Sequence, residues 1–543
     1  MAPETVADVL DALLPGLSTS RKMPRWPADV FCLSAALLHR SGAYTRVVED
    51  APPHLKQTTS QERSELLRGI GLRWRTSALT SEKLPTEVLH WWGVLNRCLN
   101  RPVSRVRSSN DCCEALLNLM GCADESFFGV GIFWPIPGRG SSKRDRFLEE
   151  AEEQLISTWH QGSTLCRTIH PSRARVLPKM HTPQNGLTIR SLSHHLAYCR
   201  GGDVIPHWLS LGADTQHHAL NLLLVPWPYR VSPSQFKESK RVNLTDEIGK
   251  GGYGLFTFSS ERGPTTRHIK RLIDVAHKNI GRIDGLIFPE LSMSTPEFQK
   301  LAKSVMPKSG FLVAGTGTGA SRPNKCGQNG LVMNVQFPDS PFVAQFLQKK
   351  HHRWKLNKSQ IMQYGIGANL HPEASWWEHI SLKERELHFV TLRPWLTMSV
   401  MICEDLARPD PVADLVRSVG PNLVLCLLMD GPQLAERWPG RYAGVLSDDP
   451  GSSVLTMTSF GMSRLSRPQG KESRSSVVAL WRDAVYGTKE IELPSNADAV
   501  VLNLSVEYKE EWTADGRGDG GTSGYPVLTG SHPISLGEHS LAR

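Results

Sequence analysis

Long apolar runs are missing from this sequence. The longest, Leu220–Val225 and Leu423–Met429, fall far short of the ~20 residues that cross a bilayer, so no membrane partner is expected. The N-terminus, MAPETVADVLDALLPGL, mixes acids with its apolar residues; it lacks the basic start and apolar core of a signal peptide. Cysteine is sparse, ten in 543 residues and never in a CxxC pair, which excludes a disulfide scaffold. Cys32, Cys98, Cys112, Cys113, Cys122, Cys166, Cys199, Cys326, Cys403 and Cys426 are therefore read as reduced thiols of a cytoplasmic protein. Glycine (45) and proline (36) are too few for collagen or low-complexity disorder. Charge of neither sign dominates: 62 Lys/Arg against 53 Asp/Glu leaves +9, which permits an anionic partner without demanding one. What remains is a globular chain long enough for about two to four domains.

The chain changes character near residue 205. Before it, Val6–Leu14, Val30–Leu38, Leu84–Leu99 and Glu114–Met120 show helical apolar spacing, predicting a mostly helical N-terminal domain over residues 1–205. Residues 160–200, rich in His, Arg, Ser and Pro, read as a linker or docking surface. After it, short apolar strands at Leu220–Pro226, Gly285–Phe288, Phe311–Gly315, Leu331–Gln336, Thr397–Ile402 and Leu423–Met429 interleave with helical patterns at Thr266–Ile280 and Pro296–Met306. Ser475–Trp481, Glu490–Leu493 and Ala499–Leu504 complete the set. Strands buried on both faces between helices predict a layered α/β domain over 206–510. Residues 511–543, rich in Gly and Ser, are expected to form a loose tail.

Three glycine clusters are read as turns. Ile248–Gly254 (IGKGGYG) has no kinase motifs after it, and Gly138–Lys143 (GRGSSK) has the wrong order for a P-loop. Gly315–Gly319 (GTGTG) lacks the third glycine of a dinucleotide loop. No nucleotide or other cofactor is expected.

Three polar signals stand at strand ends in the α/β half. Glu290 closes the run GLIFPEL, and a carboxylate there costs desolvation unless it has a partner or a task. Cys403 closes LTMSVMIC. Between them lies the cationic stretch Gln348–Gln360, QKKHHRWKLNKSQ. Brought together, an acid, a thiol and a lysine make a covalent amidase centre. The carboxylate takes the thiol proton, the thiolate attacks a carbonyl or nitrile carbon, and the ammonium steadies the developing oxyanion.

These residues, FPEL at Phe288–Leu291, QKKHHRW at Gln348–Trp354 and ICEDLARP at Ile402–Pro409, resemble the motifs of the nitrilase, or carbon–nitrogen hydrolase, superfamily over about residues 217–508. The ICEDL form is particularly similar to the glutaminase domain of glutamine-dependent NAD synthetases. The resemblance implies an αββα sandwich and a Glu–Lys–Cys triad. Glu290 would be the general base, Cys403 the nucleophile and Lys350 the oxyanion-stabilising lysine, with the backbone N–H of Glu404 completing the oxyanion hole. Lys349, Lys350 and Lys355 all lie within reach of the lysine motif; Lys350 is preferred because His352 then falls where the family has its histidine. Many members carry a second glutamate shortly after that lysine, where this chain has Ser359 and Gln360, so acid–base support there is absent or amide-based.

The stretches KHHRWKLNKSQI, ICEDLARPDP, GPNLVLCLLMDGPQ and RYAGVLSDDPGSSVLTMTSFGM are also similar to nitrilase-like domains associated with bacterial antiphage-defence reverse transcriptases. The N-terminal half has no polymerase YxDD signature. That similarity implies a defence component acting beside a separate polymerase.

Other constellations read as structure. His194, His195, Cys199, His207, His217 and His218 match no zinc-site spacing, so no metal is expected. Cys112, Cys113 and Cys122 fall on core helix positions. Arg25–Trp26, Arg73–Trp74–Arg75, Arg101, Arg105 and Arg107 could hold a nucleic-acid backbone but fit a solvated helix face with inward tryptophans. Trp376, Trp377 and Glu378 border the pocket or plug the sandwich edge. The expected protein hydrolyses an amide-like small molecule, forms a homo-oligomer, and meets any reverse transcriptase or nucleic-acid partner through its N-terminal half. Residues 1–200 hold 25 Lys/Arg against 19 Asp/Glu, most of the net positive charge.

Overall fold

The structure, a computed structural model, describes residues 3–48, 60–132, 145–211, 218–242, 252–260, 262–306, 310–319, 326–338, 340–383, 385–467 and 475–537. Gly138–Lys143, most of Ile248–Gly254 and His217 lie outside them.

The N-terminal part is helical as its periodicity predicts. Its longer helices are α1 (Val6–Leu13), α2 (Pro27–Ser41), α3 (Ser60–Ala78), α4 (Thr86–Arg97), α5 (Asn110–Glu125) and α6 (Arg146–Ser157). Helix α5 is buried along most of its length and packs against α2, α3 and α4; Cys112, Cys113 and Cys122 are core residues on it. Trp26, Trp74 and Trp92 point inward, each indole N–H donating to a backbone carbonyl.

The linker reading of residues 160–200 is overturned. Strands β1 (Ala174–Pro178) and β2 (Leu196–Arg200) pair antiparallel, and β3 (Ile205–Ser210) follows. Polar residues hide the apolar pattern there, because their polar groups are consumed internally. Asp124 of α5 accepts the backbone N–H groups of His194, His195 and Leu196. The His194 ring bonds Thr182 and the Arg517 carbonyl.

Two seven-stranded sheets form the rest. The strands continue as β4 (Ala219–Leu224), β5 (Phe236–Val242), β6 (Tyr253–Phe258), β7 (Gly285–Met293), β8 (Phe311–Thr318), β9 (Gln328–Gln336), β10 (Val343–Lys349), β11 (Lys355–Leu356) and β12 (Ser375–Glu378). They end with β13 (Glu386–Arg393), β14 (Leu396–Ile402), β15 (Leu423–Leu428), β16 (Ser453–Thr458), β17 (Val477–Asp483), β18 (Gly487–Glu492), β19 (Ala499–Lys509) and β20 (Ser523–Ile534). One sheet runs β10-β9-β8-β7-β4-β19-β20, the other β18-β17-β16-β15-β14-β13-β3, and a small sheet β11-β12-β6-β5 stands beside them. The two large sheets meet face to face, β7 against β15 and β16, β10 against β13. Central strands β7, β14, β15 and β16 are buried at every residue, as a covered sheet requires. Helices α7 (Thr266–Ile280) and α8 (Thr295–Val305) close the outer face of the first sheet through Ile269, Leu272, Phe298 and Leu301. Helix α9 (Trp438–Asp448) packs on β16 and β17 of the second. Helices outside two facing sheets make the α/β sandwich that the strand–helix alternation predicts, with the helical N-terminal part before it.

The loose tail is a second correction. Ser523–Ile534 is a twelve-residue edge strand paired along its length with β19, and Tyr525 and Val527 enter the core. Ser523, Gly524, Gly530 and Ser531 lie within the strand itself, so composition masked it. Among the described residues no helix is long and apolar enough to cross a membrane.

Candidate active site

Glu290 sits within β7, where the strand leaves its register with β8 between Phe288 and Met293. The next residue, Leu291, has φ 53°, a left-handed conformation that a branched side chain adopts only under constraint. Gly315 explains the close packing: a Cβ there would stand 2.3 Å from the Glu290 Cα. Part of the GTGTG cluster thus serves strand packing around the carboxylate.

Cys403 follows β14 and opens the turn Cys403–Leu406 with φ 49°. A nucleophile on such a strained turn is lifted out of its strand. Lys350 follows β10, whose register with β9 and a bond from its own N–H to the Asn329 carbonyl hold it in place. Asp405, two residues after Cys403, accepts the His351 N–H at 3.1 Å on both oxygens and bonds His352 Nδ1 at 3.0 Å. The cysteine turn and the lysine segment therefore hold each other.

Lys350 Nζ donates to Glu290 Oε1 and to Glu378 Oε2, each at 2.8 Å. Asn329 Nδ2 donates to Glu290 Oε1 and Glu378 Oε1, each at 2.7 Å. All three charged side chains are nearly inaccessible, at 1%, 1% and 6% exposure for Lys350, Glu290 and Glu378. Lys350, the lysine that the family resemblance favours, is the one that meets the carboxylate. Lys355 instead lies over the Trp377 ring at 5.2 Å, and Lys349 is the last residue of β10.

Glu378 is the residue that sequence reading underrated. The second carboxylate on Lys350 is Glu378, at the end of β12, which pairs parallel with β6 in the small sheet; Ser359 and Gln360 take no part. Ser359 and Gln360 belong to a short helix, Lys358–Gln363, with Gln360 capping it through Asn357. The available signal was a glutamate in an apolar Trp-Trp context, which needs a buried partner.

Burial dominates the electrostatics. It pushes the Glu290 carboxyl up, opposed by Lys350 and reinforced by Glu378. Burial would lower the Lys350 ammonium, but Glu290 and Glu378 overcome it and hold the charge well above the usual range. The Cys403 thiol is pushed up by burial and then by the Glu290 charge, with Lys350 opposing. Burial and the Glu290 charge thus favour the thiol form of Cys403, while the two carboxylates favour the ammonium form of Lys350. Glu290 Oε2 is buried and has no hydrogen-bond partner among the described residues, whereas its Oε1 accepts from both Lys350 and Asn329.

Near the site, Tyr364 donates to Asp430, which also receives Arg437 at 2.9 Å, and the Asp430 charge reaches Cys403. Tyr364 lines a cavity of about 1,010 Å³ with Tyr229, Arg230, Phe460 and Arg464. A second cavity, about 730 Å³, lies apart from Glu290, Lys350 and Cys403, between β2 and the segment Pro409–Ser418.

Glu378→Gln is expected to keep the shape of the ring but remove one of the two charges on Lys350. Loss of a charge-assisted bond of this kind costs about 10–100-fold in rate. Steady-state turnover beside an unchanged thermal melt checks it.

No protein-family profile matches the chain, and no curated protein matches it by sequence. Solved structures do. A Saccharomyces cerevisiae member of branch 10 of the nitrilase superfamily is similar at 12% identity, covering 53% of this chain and 90% of its own, with a TM-score of 0.30. A CN-hydrolase superfamily protein of Xanthomonas campestris is similar at 14% identity over 53% and 90%, TM-score 0.29. A carbon–nitrogen hydrolase of Helicobacter pylori is similar at 11% identity over 51% and 86%, TM-score 0.30.

Proposed function

We propose that this chain is a cysteine-dependent hydrolase of a non-peptide C–N bond, in the manner of the nitrilase superfamily that its motifs resemble. One observation carries the reading: Glu290 presents a buried oxygen with no partner among the described residues, while its other oxygen is held by Lys350 and Asn329. Lys350 and Asn329 fix the orientation of this buried carboxylate through Oε1, and an oriented carboxylate can exchange a proton at its other oxygen.

Glu290 Oε2 takes the Cys403 thiol proton as sulfur attacks the carbonyl carbon. A C–S bond forms, and the carbonyl electron pair moves onto oxygen. The Lys350 ammonium and the Glu404 N–H, at the start of its turn and outside that turn's own bonds, receive the oxyanion. Collapse breaks the C–N bond, with Glu290 returning its proton to the departing amine. Water, deprotonated by Glu290, then cleaves the thioester. The charged lysine offsets the cost of forming a thiolate in a dry site.

The substrate class supported is an amide, nitrile or carbamoyl compound small enough for an enclosed site. A place beside a reverse transcriptase in antiphage defence rests only on the resemblance of the motif stretches around Lys350 and Cys403.

The test is acyl transfer to the thiol. Exposed to p-nitrophenyl acetate and, separately, to a panel of primary amides and N-carbamoyl compounds, the chain is expected to carry an acyl adduct on Cys403 by intact-mass and peptide mapping. Cys403→Ala should carry none there. Adducts spread over other nucleophiles, equal in wild type and variant, sink the hydrolase reading and leave a nitrilase-like binding scaffold.

A further inference from the structure

His207 of β3 and His388 of β13 are register partners on adjacent parallel strands, which puts their side chains on one face of the sheet. Glu386, two residues before His388, shares that face. The rings stack 4.8 Å apart at 19°. His207 Nε2 stands 3.5 Å from Glu386 Oε1, and one donor atom from each residue lies within 4.8 Å of the other two. His207 is 4% exposed, and neither ring nitrogen has a hydrogen-bond partner among the described residues.

A buried imidazole with both nitrogens unsatisfied is costly. The surroundings hold the neighbouring groups in place. Gln348 accepts at 3.4 Å from the His388 Nδ1 side and donates to the Val400 carbonyl at 2.8 Å. The Glu386 carbonyl bonds His351 Nε2 at 2.9 Å. Trp159 covers His207 at 4.5 Å, and Phe346 flanks His388 at 5.1 Å.

We propose that His207, Glu386 and His388 form a binding site for a divalent transition-metal ion, zinc above all. Two imidazoles and one carboxylate are the donor set of an open three-ligand site. Zinc bonds of about 2.0–2.1 Å need donors roughly 3.3 Å apart. The His207–Glu386 edge already has nearly that length; for His388 to reach it, its ring must turn out of the stack with His207 and away from Gln348. Arg175 and His160 add positive potential at His207, which opposes a cation held by field alone. The site therefore favours an ion bound by coordinate bonds to nitrogen over magnesium or calcium, which take oxygen ligands. The bound ion would staple β3, the strand entering from the N-terminal part, to β13. Through Gln348 it would also brace the strand that carries Lys350.

The test uses the tag-free full chain, stripped with chelator and titrated with zinc chloride against a competing indicator. One equivalent should bind, magnesium should not compete, and zinc should raise Tm. Cobalt(II) should give the visible d–d bands of a low-coordinate nitrogen site. His207→Ala and His388→Gln should each weaken zinc at least about 10–100-fold and lose the Tm rise. The wild-type stoichiometry and cobalt spectrum stand even where a variant folds poorly. Absence of stoichiometric zinc in the wild type, or unchanged affinity in both folded variants, overturns the site.

Discussion

Cys403→Ala is expected to lower ammonia release from any amide the chain hydrolyses by about 10⁴-fold or more, since the proposed mechanism carries the acyl group on that sulfur. Glu290→Gln should cost about 10²–10⁴-fold. Glutamine can still occupy the space beside Lys350 and Asn329 but accepts no proton at the position of Oε2. The two losses differ in kind. The alanine variant forms no adduct, whereas the glutamine variant slows both formation and hydrolysis of the thioester, which single-turnover intact-mass kinetics separates. The pH profile supplies a further check. Burial raises the Glu290 carboxyl, and a base works only when deprotonated. Activity should therefore fall on the acidic side at a pH above the usual glutamate value of about 4.3. That limb should vanish in Glu290→Gln. A nearly active Glu290→Gln protein would assign the proton transfer elsewhere.

Arg517→Met should destabilise the fold by about 3–5 kcal/mol in urea unfolding, the cost of leaving buried charges without their partner. Arg517 is wholly buried. It donates to Asp124 at 3.0 Å and Glu125 at 2.7 Å on α5, and to the Leu192 carbonyl at 2.7 Å. It also pairs with Asp515, whose other partner is Arg63 of α3 at 3.0 Å. The network ties the segment before β20 to the helical N-terminal part. Burial alone would raise the Asp515 carboxyl, but Arg517 and Arg63 overcome it and hold it far below the ordinary range. A depressed folded-state value contributes stability above the unfolded value of about 3.9 and loses it as pH falls. The wild type should therefore lose part of its margin only in strong acid, and the variant should lack that contribution at neutral pH. Equal urea midpoints for the two proteins would show that the ion network adds nothing net.

Legibility in the sequence followed contact range. Thr266–Ile280 has the same bounds in pattern and structure, because its amphipathic stripe, Thr265 cap and terminal Gly281 are all local. The strands ending near Glu290 and Cys403 were readable from short apolar runs closed by a polar residue. β20 was not, because its alternation follows a Gly-rich turn and only pairing with β19 makes it a strand. Glu378 was visible as a residue but not as a partner of Lys350. Its place depends on β12 joining β6, more than a hundred residues earlier in the chain. His207 was grouped with His194, His195 and Cys199 by proximity in sequence, yet its neighbours in space are Glu386 and His388.

By itself the sequence determined the α/β alternation, the helical character of the first part and the chemical cast of an acid, a lysine and a thiol. Those follow from periodicity and from the cost of burying polar groups, both properties of short segments. Tertiary structure alone decided that Lys350 meets Glu290, that Glu378 supplies the second carboxylate, and that Asn329 bridges the two carboxylates. The apolar runs specify which face a strand buries; sheet order and facing, set by packing across the whole chain, specify which charges meet.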